Sequence, residues 1–241
     1  NLDNVINGSD LAIFVSSWEN DSYENELGPY SGDVPNIVIH PDQYFNIEDV
    51  MSFVVMGNWY LDSGGLLVSN SSVVGSTLSY DIENDSILID LPLGIVAFDF
   101  ELNYDLNQVL PSFEKSAAQL TLIHYDKTVG KMNVISEVKL DNRITIPFTL
   151  EEKESQIQLF LNGYDSQGNL VAQLMETITL NAVPEEYELS QNYPNPFNPV
   201  TMIEYGLPVA SHVHLAIYDL LGREVVTLVE GIQEAGYRSI T

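Results

Sequence analysis

Leu11, Phe14, Val15 and Trp18 recur at helical spacing directly after a polar stretch that ends at Asp10. Val50, Phe53 and Val54 repeat the pattern after Asp49, and the segment closes on Gly57-Asn58-Trp59-Tyr60. Two short helices are therefore predicted within residues 1–62. From Gly64 to about Ala182 the period changes to two. Thr77–Ile82, Ile87–Leu91, Val96–Tyr104, Leu120–Tyr125, Arg143–Phe148 and Gln156–Leu161 alternate apolar with polar. Glu83-Asn84-Asp85, Asp141-Asn142 and Asp165-Ser166-Gln167-Gly168-Asn169 separate them as turn signals. Short strands at this spacing predict an antiparallel sandwich or jelly roll over residues 63–182. Its densest run puts Phe98, Phe100, Leu102 and Tyr104 on one face and Ala97, Asp99, Glu101 and Asn103 on the other. The aromatic face is expected between two sheets.

The pattern breaks at Asn192-Tyr193-Pro194-Asn195-Pro196-Phe197-Asn198-Pro199. Three prolines spaced by asparagines exclude a helix or a central strand, and each pushes the residue before it toward extended backbone. Residues 183–200 read as a stiff polar linker, with Tyr193 and Phe197 as anchors that tuck it against the C-terminal unit. Strand candidates near Met202–Gly206, Val213–Asp219, Glu224–Val229 and Tyr237–Thr241 make 201–241 a second β unit. The fold class is mostly β, two sandwich domains preceded by a small helical segment.

Charge narrows the partners. The 241 residues carry 35 acidic and 8 basic side chains, a formal net charge of −27, and no Lys or Arg precedes Lys115. Such a surface repels nucleic acid and anionic lipid. It suits bound cations or an extracellular setting rich in divalent ions, and equally plain solubility. Cysteine is absent, so disulfides, thiolate metal sites and a cysteine nucleophile are excluded. No apolar run is long enough to span a membrane. No glycosidase, hydrolase-elbow, zincin or phosphate-loop motif stands out, and the chain is read as non-enzymatic. Of the histidines His40, His124, His212 and His214, the last two share a strand face and could clip a metal, without an apparent third ligand. Sequons occur at Asn7, Asn20, Asn70 and Asn84, and Asp85-Ser86-Ile87 resembles short Asp-Ser/Thr-aliphatic O-glycosylation sites. They give Asn70, Asn84 and Ser86 as speculative exposed-loop glycan sites.

Three family resemblances rest on particular residues. Tyr187-Glu188-Leu189-Ser190-Gln191-Asn192-Tyr193-Pro194-Asn195-Pro196-Phe197-Asn198-Pro199 resembles the start of a C-terminal type IX secretion sorting domain. Ile203–Pro208, Val213–Val225 and Glu234–Tyr237 continue it. The resemblance implies an immunoglobulin-like fold, also seen beside flagellar hook-capping proteins, with export and attachment at the cell surface. Export needs a signal peptide, which is expected upstream of Asn1. The family also implies strands beyond Tyr237, and a sheet lacking them exposes unpaired backbone.

Asn1–Leu11 resembles the calcium loop of a dockerin. In EF-type register Asn1, Asp3, the Val5 carbonyl, Asn7 and Asp10 are the implied ligands, with one more from upstream. Asp42–Val50 resembles a worn second loop, with Asp42, the Tyr44 carbonyl, Asn46 and Asp49 as ligands and His40 and Val38 as poor ones. Ca²⁺ is the expected ion, although Asn and Asp at these places also suit turns and helix starts without any ion. Val73–Thr77 with Val96–Asp105 resembles a cohesin, the sandwich that receives dockerins. Two functions stand as expectations. One is an extracellular structural or adhesive modular protein, joined to other copies of itself or to other surface proteins, with a head-to-tail fibre completed by strand addition as one form. The other is a set of accessory modules trailing a larger secreted hydrolase.

Overall fold

A computed structural model describes residues 5–20, 22–65, 76–83, 85–113, 119–138 and 142–241. The chain divides into two compact units, one taking residues 1–149 and 156–178, the other 150–155 and 179–241.

The first unit opens with helix α1 (Gly8–Glu19), a single 3₁₀ turn at Tyr23–Asn25, and a two-stranded ribbon of β1 (Tyr30–Ser31) and β2 (Val38–Ile39). Helix α2 (Ile47–Asp62) comes next. The strands are then β3 (Ser76–Thr77), β4 (Asp81–Glu83), β5 (Ser86–Asp90), β6 (Ala97–Tyr104), β7 (Val109–Pro111), β8 (Thr121–Asp126), β9 (Lys131–Glu137), β10 (Arg143–Leu150), β11 (Glu154–Tyr164) and β12 (Leu170–Asn181). They form a four-stranded sheet in the order β4-β5-β10-β7 and a six-stranded sheet in the order β3-β12-β11-β6-β9-β8. β5 pairs antiparallel with β4 and β10, β6 with β9 and β11, and β8 with β9, whereas β3 runs parallel to β12.

Period-two burial follows the sequence pattern. Ile87 and Ile89 of β5, Ile144, Ile146 and Phe148 of β10, and Ile157, Leu159 and Leu161 of β11 are buried between more exposed neighbours. Phe98 and Phe100 of β6 meet Phe113 edge-on, at ring separations of 6.3 and 5.5 Å. The aromatic face of β6 is thus interior, as its alternation predicts. The expected single strand Thr77–Ile82 is instead broken in two. Its start pairs in the six-stranded sheet and its end in the four-stranded one, because the chain must change sheets here.

The opposite face of β6 is buried as well. Ala97 and Asp99 have no exposed surface and Glu101 has 6%. Both helices lie over this side: Leu11, Ala12 and Phe14 of α1 and Phe53 and Leu61 of α2 form one cluster with Ala97, Leu122, Ile135 and Tyr164. Two glycines mark the close approach. A Cβ on Gly8 would fall 2.6 Å from the Tyr164 ring, and one on Gly57 would fall 2.2 Å from Leu122 Cδ1.

The second unit contains β13 (Glu188–Leu189), β14 (Ile203–Leu207), β15 (Ser211–Tyr218), β16 (Glu224–Gln233) and β17 (Gly236–Ile240). β13-β14-β17 make a three-stranded sheet, and β15-β16 a separate hairpin. All four strands expected here are present. The Pro/Asn run is a closed loop: Tyr193 and Met202 exchange backbone hydrogen bonds of 2.9 Å, and the Thr201 hydroxyl donates to the Pro194 carbonyl at 2.9 Å. Tyr193 and Phe197 do not tuck in, being 77% and 58% exposed, since the loop is pinned through its backbone and Thr201 rather than its rings.

Candidate functional site

The two helices begin alike. Asn7 caps α1, its side chain accepting from the Ser9 amide at 2.8 Å, while Asp10 Oδ2 accepts from the Asn7 amide at 3.1 Å. Asn46 accepts from the Glu48 amide at 2.7 Å, and Asp49 Oδ2 from the Asn46 amide at 2.8 Å. Each is a capping box, which satisfies amides that a helix start leaves unpaired. The duplicated Asn-x-x-Asp of the sequence therefore has a local physical cause in both places.

The boxes differ in their second role. Asp49 is fully buried, and its Oδ1 accepts from the Leu27 and Gly28 amides at 3.0 and 2.6 Å. It ties the connection between the helices to the start of α2. Glu26 does the same from the other side, accepting from the Asp42 and Gln43 amides at 2.5 and 2.7 Å. At α1 the corresponding tie runs to the sheet. Asp99 Oδ2 accepts from the Gly8 amide at 2.9 Å and from the Tyr164 hydroxyl at 2.8 Å, and Oδ1 accepts from the Asn162 side-chain amide at 2.8 Å. Asn162 is held in turn by Gln173 at 2.8 Å, and the Ser9 hydroxyl donates to the Gly168 carbonyl at 2.8 Å.

Asp99 is the polar centre of the helix seat. Burial pushes its carboxyl up to about 6 from 3.8, against the lowering effect of its three donors. The positive end of α1 adds a favourable field for the ionised form. Burial and the neighbouring Asp99 charge push the Tyr164 hydroxyl far above its ordinary range. The alternation of β6 places Asp99 on the non-aromatic face and marks no function for it. A lone Asp in an alternating strand reads as solvent-facing, and only a register with Asn162 directly across on β11 reveals the network.

The expected calcium ligands separate into two groups. Asn1 and Asp3 lie outside the described residues, while Val5, Asn7 and Asp10 lead into α1. An all-oxygen set of this kind suits a hard cation. The residues of the second set are engaged locally with one another and with backbone amides. Asp42 and Tyr44 are exposed, Asp42 Oδ1 accepts from the Tyr44 amide at 3.0 Å, and the Tyr44 carbonyl accepts from Asn46 at 3.3 Å. Asp49 faces inward, where an ion would have to displace three amides. Asn70 and Asn84 lie outside the described residues. Ser86 is half-buried as the first residue of β5, paired with Glu83 and Pro147, and not on an exposed loop.

In the second unit the hairpin is the feature with reach. Among the described residues β15 and β16 pair only with each other, and Leu220 and Leu221 at their turn are 105% and 79% exposed. Ile217, Tyr218, Val225, Val226 and Ile232 are exposed along it.

No family model matches the chain, and no curated protein does. Solved structures similar to it include a type II cohesin domain from the Acetivibrio cellulolyticus cellulosome, 12% identical over 46% of this chain and 96% of that one, with a TM-score of 0.30. A cohesin module from a Clostridium perfringens family 33 glycoside hydrolase is 9% identical over 46% and 97%, at 0.32. A collagen-binding domain from a Staphylococcus aureus adhesin is 10% identical over 46% and 100%, at 0.26. At such scores these likenesses establish neither fold nor family for this chain.

Proposed function

We propose that the chain is a non-enzymatic, extracellular structural or adhesive module whose C-terminal hairpin takes up a strand from another copy. The observation that carries this is a two-stranded sheet, β15-β16, with no further strand on either edge among the described residues and with exposed apolar side chains along it. A two-stranded sheet is marginal by itself in water. An open edge accepts a strand through backbone hydrogen bonds, with alternate side chains supplying specificity. Because donor and acceptor are different surfaces, joining continues head-to-tail into an open filament.

The hairpin carries little of this chain's acidic excess. Between Ser211 and Gln233 only Asp219, Glu224 and Glu230 are acidic, alongside Arg223, His212 and His214. The resemblance of residues 187–237 to sorting domains supports export and surface attachment. The dockerin-like and cohesin-like resemblances support a scaffold role with protein partners. Calcium at the first loop, through Asn1, Asp3, the Val5 carbonyl, Asn7 and Asp10, belongs to the same reading. Sedimentation velocity over a range of concentrations tests it. The sedimenting mass should grow with concentration, and Ile232→Lys, at a 74% exposed hairpin position, should suppress that growth. A parent chain that remains monomeric at the highest concentration contradicts the proposal.

A further inference from the structure

One face of the same hairpin gathers metal-binding groups from both strands. His212 and His214 are two residues apart on β15 and share a face. Glu230 of β16 lies directly opposite His214. Its two carboxylate oxygens face the two rings: Oε2 makes a close contact with His214 Nδ1, and Oε1 is 3.6 Å from His212 Nε2. On the far side of the His214 ring, Nε2 is 3.4 Å from Glu224 Oε2.

These distances bear on chemistry. A separation of 3.6 Å is too long for a good hydrogen bond. It is close to the ligand–ligand edge of a zinc tetrahedron, roughly 3.3 Å for bonds of about 2.0–2.1 Å. Ligation through His214 Nδ1 leaves its Nε2–H turned toward Glu224, the carboxylate partner that orients a metal-bound imidazole. Two imidazoles with a carboxylate select a zinc-class ion over calcium, which takes oxygen ligands. In this structure the donors face one another in pairs, and among the described residues no three already surround a metal position. The site would close by side-chain rotation. Exposure of 62%, 45%, 41% and 55% at His212, His214, Glu224 and Glu230 leaves room for that rotation, which exchanges the His214–Glu230 and Thr227–Glu224 hydrogen bonds for ligation.

We propose that His212, His214 and Glu230 bind one divalent transition-metal ion of the zinc class on the exposed face of the C-terminal hairpin, with Glu224 as the carboxylate that positions His214. The ion cross-links β15 to β16 beside their register shifts at Leu215/Ala216 and Ile217/Tyr218. The site goes beyond the strand-addition reading and stands whether or not copies join.

The test is calorimetric titration of the full chain with zinc chloride at pH 7.5, in excess calcium to occupy scattered carboxylates. One zinc per chain is expected. His212→Ala and His214→Ala should each weaken binding at least tenfold, and Glu224→Gln by roughly tenfold, the usual effect of losing an orienting partner. Binding should weaken by pH 5.5, because the imidazoles must be neutral to ligate. All these positions are exposed, so the variants should keep the parent's circular dichroism. Absence of zinc binding, or binding unchanged in the His212→Ala/His214→Ala double variant, overturns the site.

Discussion

Replacing Asp99 by alanine removes the acceptor of three buried donors at once: the Gly8 amide, the Tyr164 hydroxyl and the Asn162 amide. Each donor left unpaired costs about 1–3 kcal/mol. The Gly8 amide has no alternative, because it belongs to the first turn of α1 and has no partner within the helix. Part of the loss is offset, because the buried carboxylate is itself unfavourable at neutral pH. Its pKa of about 6 lies about two pH units above the unfolded value of 3.8, and each unit is worth about 1.4 kcal/mol. The net cost of Asp99→Ala at pH 7.5 is therefore expected to be about 2–4 kcal/mol.

Linkage sets the direction with pH. Between pH 6 and 4 the folded chain holds a proton on Asp99 that the unfolded chain releases, so this group adds stability as pH falls. From pH 7.5 to 5 the gain is on the order of 1 kcal/mol, and Asp99→Ala lacks it. The variant should thus be more destabilising at pH 5 than at pH 7.5. Urea denaturation followed by tryptophan fluorescence suits the measurement, since Trp18 and Trp59 sit on α1 and α2. A variant within about 0.5 kcal/mol of the parent at both pH values would refute the seat. So would an unaltered pH dependence.

Gly8→Ala should destabilise measurably in the same assay, because its Cβ would overlap the Tyr164 ring and the Phe98 backbone; a neutral result would mean α1 does not sit this close. Phe100→Ala should cost about 3–5 kcal/mol, whereas Gln158→Ala, exposed on β11, should change stability by less than about 0.5 kcal/mol; equal costs would show the register to be wrong. Chelation should lower the melting temperature if the first loop holds calcium, since an ion bound only by the folded chain stabilises it by mass action. Asp10→Ala should remove that sensitivity, and identical melting with excess calcium and with chelator would reduce the loop to a helix cap.

Most of the strand and helix pattern was legible because burial on one face writes its period into the sequence. Phe98 and Phe100 alternate with polar residues and lie inside; Leu11, Phe14 and Phe53 recur at helical spacing and face the sheet. The second cover on β6 was not legible. Ala97, Asp99 and Glu101 look like a solvent face because their partners are distant in sequence: Gly8 of α1, Asn162 of β11, and Lys131 of β9, which meets Glu101 at 3.0 Å. β9 and β12 lacked a recognised signal; in β9 both faces of the Met132–Ser136 run are buried and alternation is lost. The Asn-x-x-Asp repeats at Asn7 and Asn46 were visible, but sequence spacing alone cannot separate a calcium loop from a capping box that uses the same two residues. His212 and His214 were seen as a pair; Glu230 was missed because it faces them only through the hairpin register.

The central claim, that copies join through the open hairpin, is tested most directly by amide hydrogen exchange at low and high protein concentration. Protection should rise with concentration within Ser211–Gln233, where new backbone hydrogen bonds form along an edge of β15 or β16, while Ala97–Tyr104 at the centre of the first unit stays unchanged. Exchange in Ser211–Gln233 that is identical at both concentrations would contradict it.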